Sequence, residues 1–175
     1  MIQPTRIATL PDGHVALTAT ARGMVDRTLS RAASAAYGEL YPAVAGAGAL
    51  ARARTWLAFS PDDPQGPDDP ACRYVAGVLF DQALEATPAA IARPDIALQG
   101  SLEWWPIASG PAAVFMHRGP YDTLYRTWQA VYRDWLPASG REPRDASPFE
   151  VMLNDPQLTP AAELLTEIWI PLTAD

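Results

Sequence analysis

The chain has 175 residues, of which 49% are hydrophobic and 19% charged, a size and composition typical of one globular domain. Its 20 acidic residues outnumber 13 basic ones, all of them arginine, and the formal net charge is −7. Because nucleic-acid phosphates and anionic membranes attract clustered basic residues, this balance argues against both as direct partners and leaves cationic small molecules open.

The compartment and the absence of a metal site are predicted from a few residues. The single cysteine, Cys72, excludes an intrachain disulfide and fits a reducing environment. The first residues lack the basic and apolar regions of a signal peptide, and no apolar run of about 18 residues predicts a membrane span. We therefore expect a cytoplasmic protein. Because His14 and His117 share no acidic neighbour at ligand spacing, we also expect no metal and no cofactor.

Hydrophobic alternation and turn residues divide the first half of the chain into strands around one helix. The helix is predicted over residues 25–44, where apolar side chains recur at the helical period. An acidic, proline-rich loop at 61–70 separates the last two strands. The predicted strands are 3–10, 14–22, 55–60 and 73–80.

The second half follows the same order. After strand-like pieces at 95–105 and a strand at 112–117, Pro120 stands where the first turn of a helix accepts proline. The helix is predicted over 121–136, with Trp128 and Trp135 on its core-facing stripe. Two strands, at 149–153 and 164–172, complete the chain.

Short motifs recur in the two halves. The pattern R-G-x-x-D precedes each predicted helix, from Arg22 and from Arg118, and an Asp-Pro pair follows each helix, at Asp63 and at Asp155. The repeated order predicts a duplication inside a single domain (1–175), with halves at about 1–94 and 95–175. The alternative is two unrelated βαβ-like stretches in an α+β domain.

Several spaced motifs in the second half, over roughly residues 111–172, form a recognisable set. They are H-R-G-P-Y-D from His117, W-L-P-A-S-G from Trp135, P-F-E from Pro148, N-D-P from Asn154 and T-E-I-W-I-P-L from Thr166. The set is similar to that of the GyrI-like small-molecule-binding family. That family includes effector-binding domains of AraC- and MerR-type multidrug regulators, gyrase inhibitory proteins and hydrolases of cyclopropanoid genotoxins.

The resemblance implies an α+β fold in which two pseudo-symmetric ββαββ halves form one concave antiparallel sheet with two long helices. It also implies a pocket on the pseudo-twofold axis, where a buried glutamate contacts the ligand, and the match places that role on Glu150. At Met152 and Trp169 the chain departs from the family, which often has tyrosine there. Because the chain has no room for a helix-turn-helix domain, it resembles the stand-alone members.

Glu150 also stands out from its surroundings alone. It lies between Phe149 and Val151, in a predicted strand whose other face is apolar. A carboxylate buried without a partner is costly, so such a residue is usually functional or paired, the alternative being a strand glutamate that faces solvent. In a pocket it either neutralises a cationic ligand or, with a raised pKa, acts as acid or base on an electrophile.

Other residues are candidates to line the same pocket. Glu167 and Trp169 share a face of the last strand, and an acid beside an aromatic ring suits a cation; the alternative is the exposed face of an edge strand. Neighbouring strand residues point to opposite faces, so at most one of Trp104 and Trp105 lines the pocket. The remaining candidates are Tyr37, Tyr41, Phe59, Trp105, Tyr125, Trp128, Tyr132 and Met152.

Three functions follow from these predictions. The first is a stand-alone protein that binds an amphipathic or cationic aromatic small molecule. The second is a hydrolase that uses Glu150 on a cyclopropanoid-type electrophile, although the missing phenol at Met152 weighs against it. The third is a protein that interacts with gyrase, or with a separate DNA-binding regulator.

Overall fold

The structure, a computed structural model that describes residues 2–174, contains every strand that the sequence predicts. The strands are β1 (Arg6–Leu10), β2 (Val15–Arg22), β3 (Ala53–Phe59), β4 (Arg73–Phe80), β5 (Glu103–Pro106), β6 (Gly110–Arg118), β7 (Phe149–Met152) and β8 (Leu165–Pro171). The α-helices are α1 (Ser30–Gly46), α2 (Leu124–Ala130) and α3 (Leu136–Ser139), with short 3-10 turns at Leu50–Arg52, Tyr121–Thr123 and Ala161–Glu163. No helix within residues 2–174 is long and apolar enough to cross a membrane.

The eight strands form one antiparallel sheet whose order is symmetric. Across the sheet the order is β1-β6-β8-β7-β3-β4-β2-β5. Each strand of the first half (β1 to β4) occupies the position that its counterpart in the second half (β5 to β8) occupies when the order is counted from the other edge. A pseudo-twofold axis therefore passes between β7 and β3. The two ββαββ halves and their shared sheet confirm the predicted fold class.

Two short connections make the sheet curl. β1 and β2 stand six strand positions apart, about 29 Å in a flat sheet, yet only residues 11–14 join them. A link of that length spans at most about 18 Å. Residues 107–109 join β5 to β6, which also stand six positions apart, so this second short connection brings the β5 edge of the sheet close to β6.

The face of the sheet that lies away from the helices forms one continuous core. Apolar side chains from β1, β2, β3, β4, β6, β7 and β8 meet there in a single cluster, which Ile107 and Leu84 complete from the adjoining connections. The two sheet edges therefore meet on this side. The buried members from the strands are Ala8, Leu10, Ala16, Leu57, Phe59, Val75, Leu79, Ala112, Val114, Phe149, Val151 and Trp169.

The opposite face carries two separate cores, one beneath each helix. Leu40 of α1 packs in a cluster with Leu17 and Val78 of β2 and β4. Trp135 packs in the other cluster with Phe115 of β6 and Ile168 of β8, and the rings of Trp135 and Phe115 lie edge to face with centroids 4.9 Å apart. Between these two cores lie β3 and β7, the central strands, which neither helix covers with its apolar stripe.

The first helix begins later than predicted. The apolar period extends back to Val25, but α1 starts at Ser30. Residues Asp26 and Arg27 adopt left-handed φ angles of 50° and 63°, which end any helix. The Arg27 amide donates a hydrogen bond of 2.7 Å to the carbonyl of Pro67, so the acidic loop 61–70 holds this segment in a turn.

The second helix ends later than predicted because its middle widens. After α2 the chain passes through a π-helical turn (Val131–Trp135) and continues as α3 to Ser139, beyond Pro137. The Leu136 amide donates to the carbonyl of Val131, five residues earlier. Proline usually breaks a helix since it has no amide hydrogen, and the irregular hydrogen bonding of the wide turn accommodates it here.

Candidate functional site

Between the cores beneath α1 and α2, the helix side of the central strands β3 and β7 carries its own set of side chains, and we call this region the cleft. The strand register pairs Trp56 with Met152 and Ala58 with Glu150, so all four side chains point to the helix side. Glu150 is also paired with Ile168, a member of the core beneath α2. The predicted acid therefore lies on the pseudo-twofold axis, where the two helix cores leave the sheet uncovered.

Glu150 is held deep in this cleft by one hydrogen bond. The indole Nε1 of Trp128, on α2, donates to Glu150 Oε1 over 2.7 Å. Burial raises the pKa of Glu150 to about 7, and the hydrogen bond from Trp128 opposes that shift. Among the described residues, no cationic side chain enters this balance. Glu150 nevertheless keeps part of its surface exposed, as expected of a group at the wall of a cleft.

Tyrosines of α1 and β4 form one wall. The hydroxyl of Tyr37 donates to the backbone carbonyl of Leu57 over 2.5 Å and lies 3.6 Å from the Met152 sulfur. The ring of Tyr74 packs edge-on against that of Tyr37, with centroids 6.1 Å apart. Burial raises the pKa of both phenols, and the charge of Glu150 is among the nearby charges that raise it further. Both phenols therefore stay protonated near neutral pH.

The opposite wall and the rim are aromatic as well. Trp128 is half-buried, and its ring is parallel to that of Tyr132 at a centroid distance of 5.9 Å. Tyr41, at the rim on α1, contacts Trp56 with centroids 5.9 Å apart. Aromatic surface remains exposed on both helices. It belongs to Tyr41 of α1, Tyr125 of α2 and Tyr132 of the π-helical turn.

Seven predicted site residues are thus on the helix side of the sheet or on the two helices that pack against it. They are Glu150, Met152, Tyr37, Tyr41, Tyr125, Trp128 and Tyr132. Sequence reasoning missed Trp56 and Tyr74 as members of this set. Tyr121, just before α2, is close enough for the Glu150 charge to add to the effect of burial in raising its pKa. Alternation within β3 and β4 was the available signal for Trp56 and Tyr74.

The other four predicted residues, Phe59, Trp105, Glu167 and Trp169, lie on the opposite face of the sheet. The rings of Trp169, Phe149, Phe59 and Trp105 follow one another across it, with successive centroids 5.5–5.9 Å apart. A cavity of about 50 Å³ beside them is large enough for one or two waters and too small for an aromatic ligand. Trp104 points to the helix side and packs against Phe80, so the two tryptophans face opposite ways as predicted.

The pairing of Glu167 with Trp169 does hold a cation, and that cation is the protein's own Arg6. The Arg6 Nη1 donates to Glu167 Oε1 over 2.6 Å, and its Cζ lies 5.1 Å from the centroid of the Trp169 ring. The indole of Trp169 donates to Glu167 Oε2 over 3.0 Å. β8 lies between β6 and β7, so the alternative of an exposed edge strand is wrong, and Glu167 is 7% exposed.

Replacing Arg6 is therefore expected to destabilise the fold. Arg6→Met leaves the Glu167 carboxylate buried without its charged partner, which typically costs about 2–4 kcal/mol of unfolding free energy. Glu85→Gln removes the second, exposed partner of Arg6 and is expected to cost less than about 1 kcal/mol. Urea denaturation of the two variants measures both values, and equal losses would contradict the role of Glu167.

A larger groove, of about 600 Å³, lies on the far side of α1, away from Tyr37 and Tyr41. It runs between α1 and residues 95–102. Of the two acids that line it, Asp95 is exposed at the surface, and Glu39 already accepts hydrogen bonds from the amide and the hydroxyl of Ser101, at 2.7 and 2.6 Å. Because that carboxylate is occupied by the protein, the cleft at Glu150 is the stronger candidate site.

The cleft combines an acid, aromatic rings and phenolic hydroxyls. Among the described residues, no three acidic, histidine or cysteine side chains stand together as metal ligands. Such a set suits recognition of an organic molecule by charge and ring stacking. The α+β fold and this set of side chains together define a small-molecule-binding class of protein. The chain belongs to the family of GyrI-like small molecule binding domains, which it matches over residues 4–173.

Solved structures share the fold at low sequence identity. A chain of the EcmrR–DNA complex is 16% identical, with a TM-score of 0.62, and the match covers 95% of this chain and 56% of that one. SAV2435 bound to tetraphenylphosphonium is 15% identical, with a TM-score of 0.56 and coverages of 96% and 93%. A hydrolase from Listeria innocua is 13% identical, with a TM-score of 0.57 and coverages of 98% and 92%.

Proposed function

We propose that this protein binds aromatic organic cations in the cleft between α1 and α2. The observation that carries the proposal is Glu150, a carboxylate deep among aromatic rings, whose hydrogen-bond partner is the neutral indole of Trp128. A negative charge in such a setting is poorly solvated, and a bound cation would compensate it. A fold relative supports the same reading, because SAV2435 has been solved with tetraphenylphosphonium.

The surrounding rings supply the remaining attraction. Aromatic faces attract a cation through their quadrupoles, and each favourable contact adds about 0.5–2 kcal/mol. Trp56, Trp128 and the rim tyrosines also bury apolar surface of an aryl ligand. The charge at Glu150 selects the sign of the ligand, while the rings tolerate different shapes, which is consistent with binding a class of molecules.

A thermal-shift titration tests this function. Tetraphenylphosphonium serves as the probe cation, and triphenylphosphine oxide serves as a neutral compound with similar rings. At about 100 times its Kd, a ligand adds about 2.7 kcal/mol of stability, which for a chain of this length raises Tm by about 5–10 °C. The probe cation is expected to give such a shift and the neutral compound a much smaller one. Equal shifts, or none, would contradict cation binding.

The pKa of Glu150 favours a second candidate function, hydrolysis of a strained electrophile. A carboxyl group with a pKa of about 7 is present in both forms at neutral pH, as a general acid or base requires. One fold relative is a hydrolase. Incubation with a cyclopropane-fused electrophile, followed by mass spectrometry, would show a product heavier by one water, which Glu150→Gln eliminates. Absence of product across a panel of such compounds would reject this candidate.

A further inference from the structure

Thr166 of β8 lies on the helix side of the sheet, next to the strand β7 that forms part of the floor of the cleft. The strand register places it opposite Met152 of β7 on one side and His117 of β6 on the other, so all three side chains point to the helix side. Thr166 lies two residues before Ile168, the residue paired with Glu150. Thr166 and Glu150 are therefore diagonal neighbours on the adjacent strands β8 and β7, and both face the helix side.

The hydroxyl of Thr166 is buried without a partner. Thr166 is 0% exposed, and its Oγ1 makes no hydrogen bond to any other described residue. Its neighbour His117 is occupied elsewhere, since Nδ1 lies 2.8 Å from the Thr127 hydroxyl and Nε2 lies 3.3 Å from the carbonyl of Pro120. A buried hydroxyl without a partner is costly, and native proteins keep few of them without a purpose.

Met152 lies between Thr166 and the central strand β3, because it pairs with Thr166 on one side and with Trp56 on the other. Its side chain is half-buried and directly opposite Thr166, and its sulfur meets the Tyr37 hydroxyl at 3.6 Å, a weak contact that competes with the shorter bond from Tyr37 to Leu57. Methionine has three rotatable bonds and changes rotamer easily. A shift of Met152 would uncover Oγ1 without moving the backbone.

We propose that Thr166 is a second anchor of the cleft, which hydrogen-bonds a hydroxyl or carbonyl group of the bound molecule once Met152 moves aside. This inference rests on the proposed function, because it assigns the preferred ligands of the same cleft. The preferred class is then an aryl cation that also bears an oxygen substituent. Glu150 selects the charge and Thr166 selects the substituent.

A matched ligand pair tests the anchor. Tetraphenylphosphonium has no hydrogen-bonding group, and its meta- and para-hydroxyphenyl analogues add one phenol. Calorimetric titration of the unmodified protein is expected to show at least one analogue binding about three- to tenfold tighter than the plain cation, the value of one hydrogen bond. Thr166→Val keeps the side-chain shape and is expected to abolish that preference.

The outcomes separate this proposal from the proposed function. If the plain cation binds but neither analogue gains affinity, or if the gain persists in Thr166→Val, the anchor is wrong and cation binding stands. If no compound binds, both fail. The free protein gives a second readout: Tm of Thr166→Val is expected to be equal or higher, because an unpartnered hydroxyl is removed. A Tm lowered by several degrees would show that the hydroxyl has a partner in the free protein and would overturn the proposal.

Discussion

Glu150→Gln is expected to reduce the affinity for the probe cation by about 30- to 150-fold. The substitution keeps the side-chain shape and an oxygen to accept the Trp128 hydrogen bond, but it removes the charge. Loss of one close, desolvated charge pair typically costs about 2–3 kcal/mol of binding free energy, which corresponds to that factor. Calorimetric titration at pH 8, where Glu150 is ionised, measures the effect.

Glu103→Gln is the matched control for this variant. Glu103 is an exposed acid on β5, an edge strand separated from the central strand β3 by β4 and β2. The Glu103→Gln variant changes the net charge by the same amount as Glu150→Gln. Its Kd for the probe cation is expected to stay within about twofold of that of the unmodified protein. If both variants lose affinity equally, the effect comes from overall charge and the specific role of Glu150 is wrong.

Glu150→Gln is also expected to stabilise the free protein, and the size of this stabilisation is expected to depend on pH. Burial raises the pKa of Glu150 from 4.5 to about 7, so the folded state binds this proton more tightly than the unfolded state. Ionisation of Glu150 therefore costs nothing below about pH 4 and progressively more as the pH rises through the window from 4.5 to 7. Above that window the cost reaches about 3 kcal/mol.

Urea denaturation of both proteins from pH 4 to pH 8 measures this dependence. Glutamine cannot ionise, so Glu150→Gln is expected to match the unmodified protein at pH 4 and to exceed its unfolding free energy by up to about 3 kcal/mol at pH 8. A difference that stays constant with pH would show that Glu150 has an ordinary pKa. Lost affinity together with gained stability is the expected signature of an acid kept for binding.

Most of the fold could be predicted from the order of elements. Alternation identified the strands, and the repeated order around two helices predicted the symmetric halves. The helix ends were harder, because they depend on distant contacts. The apolar period continues to Val25, but the amide of Arg27 is bound by Pro67, some forty residues later. Pro137 appeared to end the second helix, whereas the π-helical turn before it allows one more turn.

The site could be predicted only in part, because alternation acts within one strand. It correctly placed Glu150 with Met152, and Glu167 with Trp169, on shared faces. The register between β7 and β8 decides which residues of the two strands share a face of the sheet. It pairs Phe149 with Trp169 and Glu150 with Ile168. The two acids therefore lie on opposite sides of the sheet. No local pattern indicates that pairing, nor that Arg6, at the other end of the chain, is the partner of Glu167.

The most direct test of a cation site at Glu150 is a crystal structure of the protein with the probe cation. Tetraphenylphosphonium is expected in the cleft between α1 and α2, with its phosphorus nearer to the Glu150 carboxylate than to any other acid and its rings against Trp128 and Trp56. A cation bound in the groove beside Glu39, or on the face that holds Glu167, with the Glu150–Trp128 cleft unoccupied, would contradict this account.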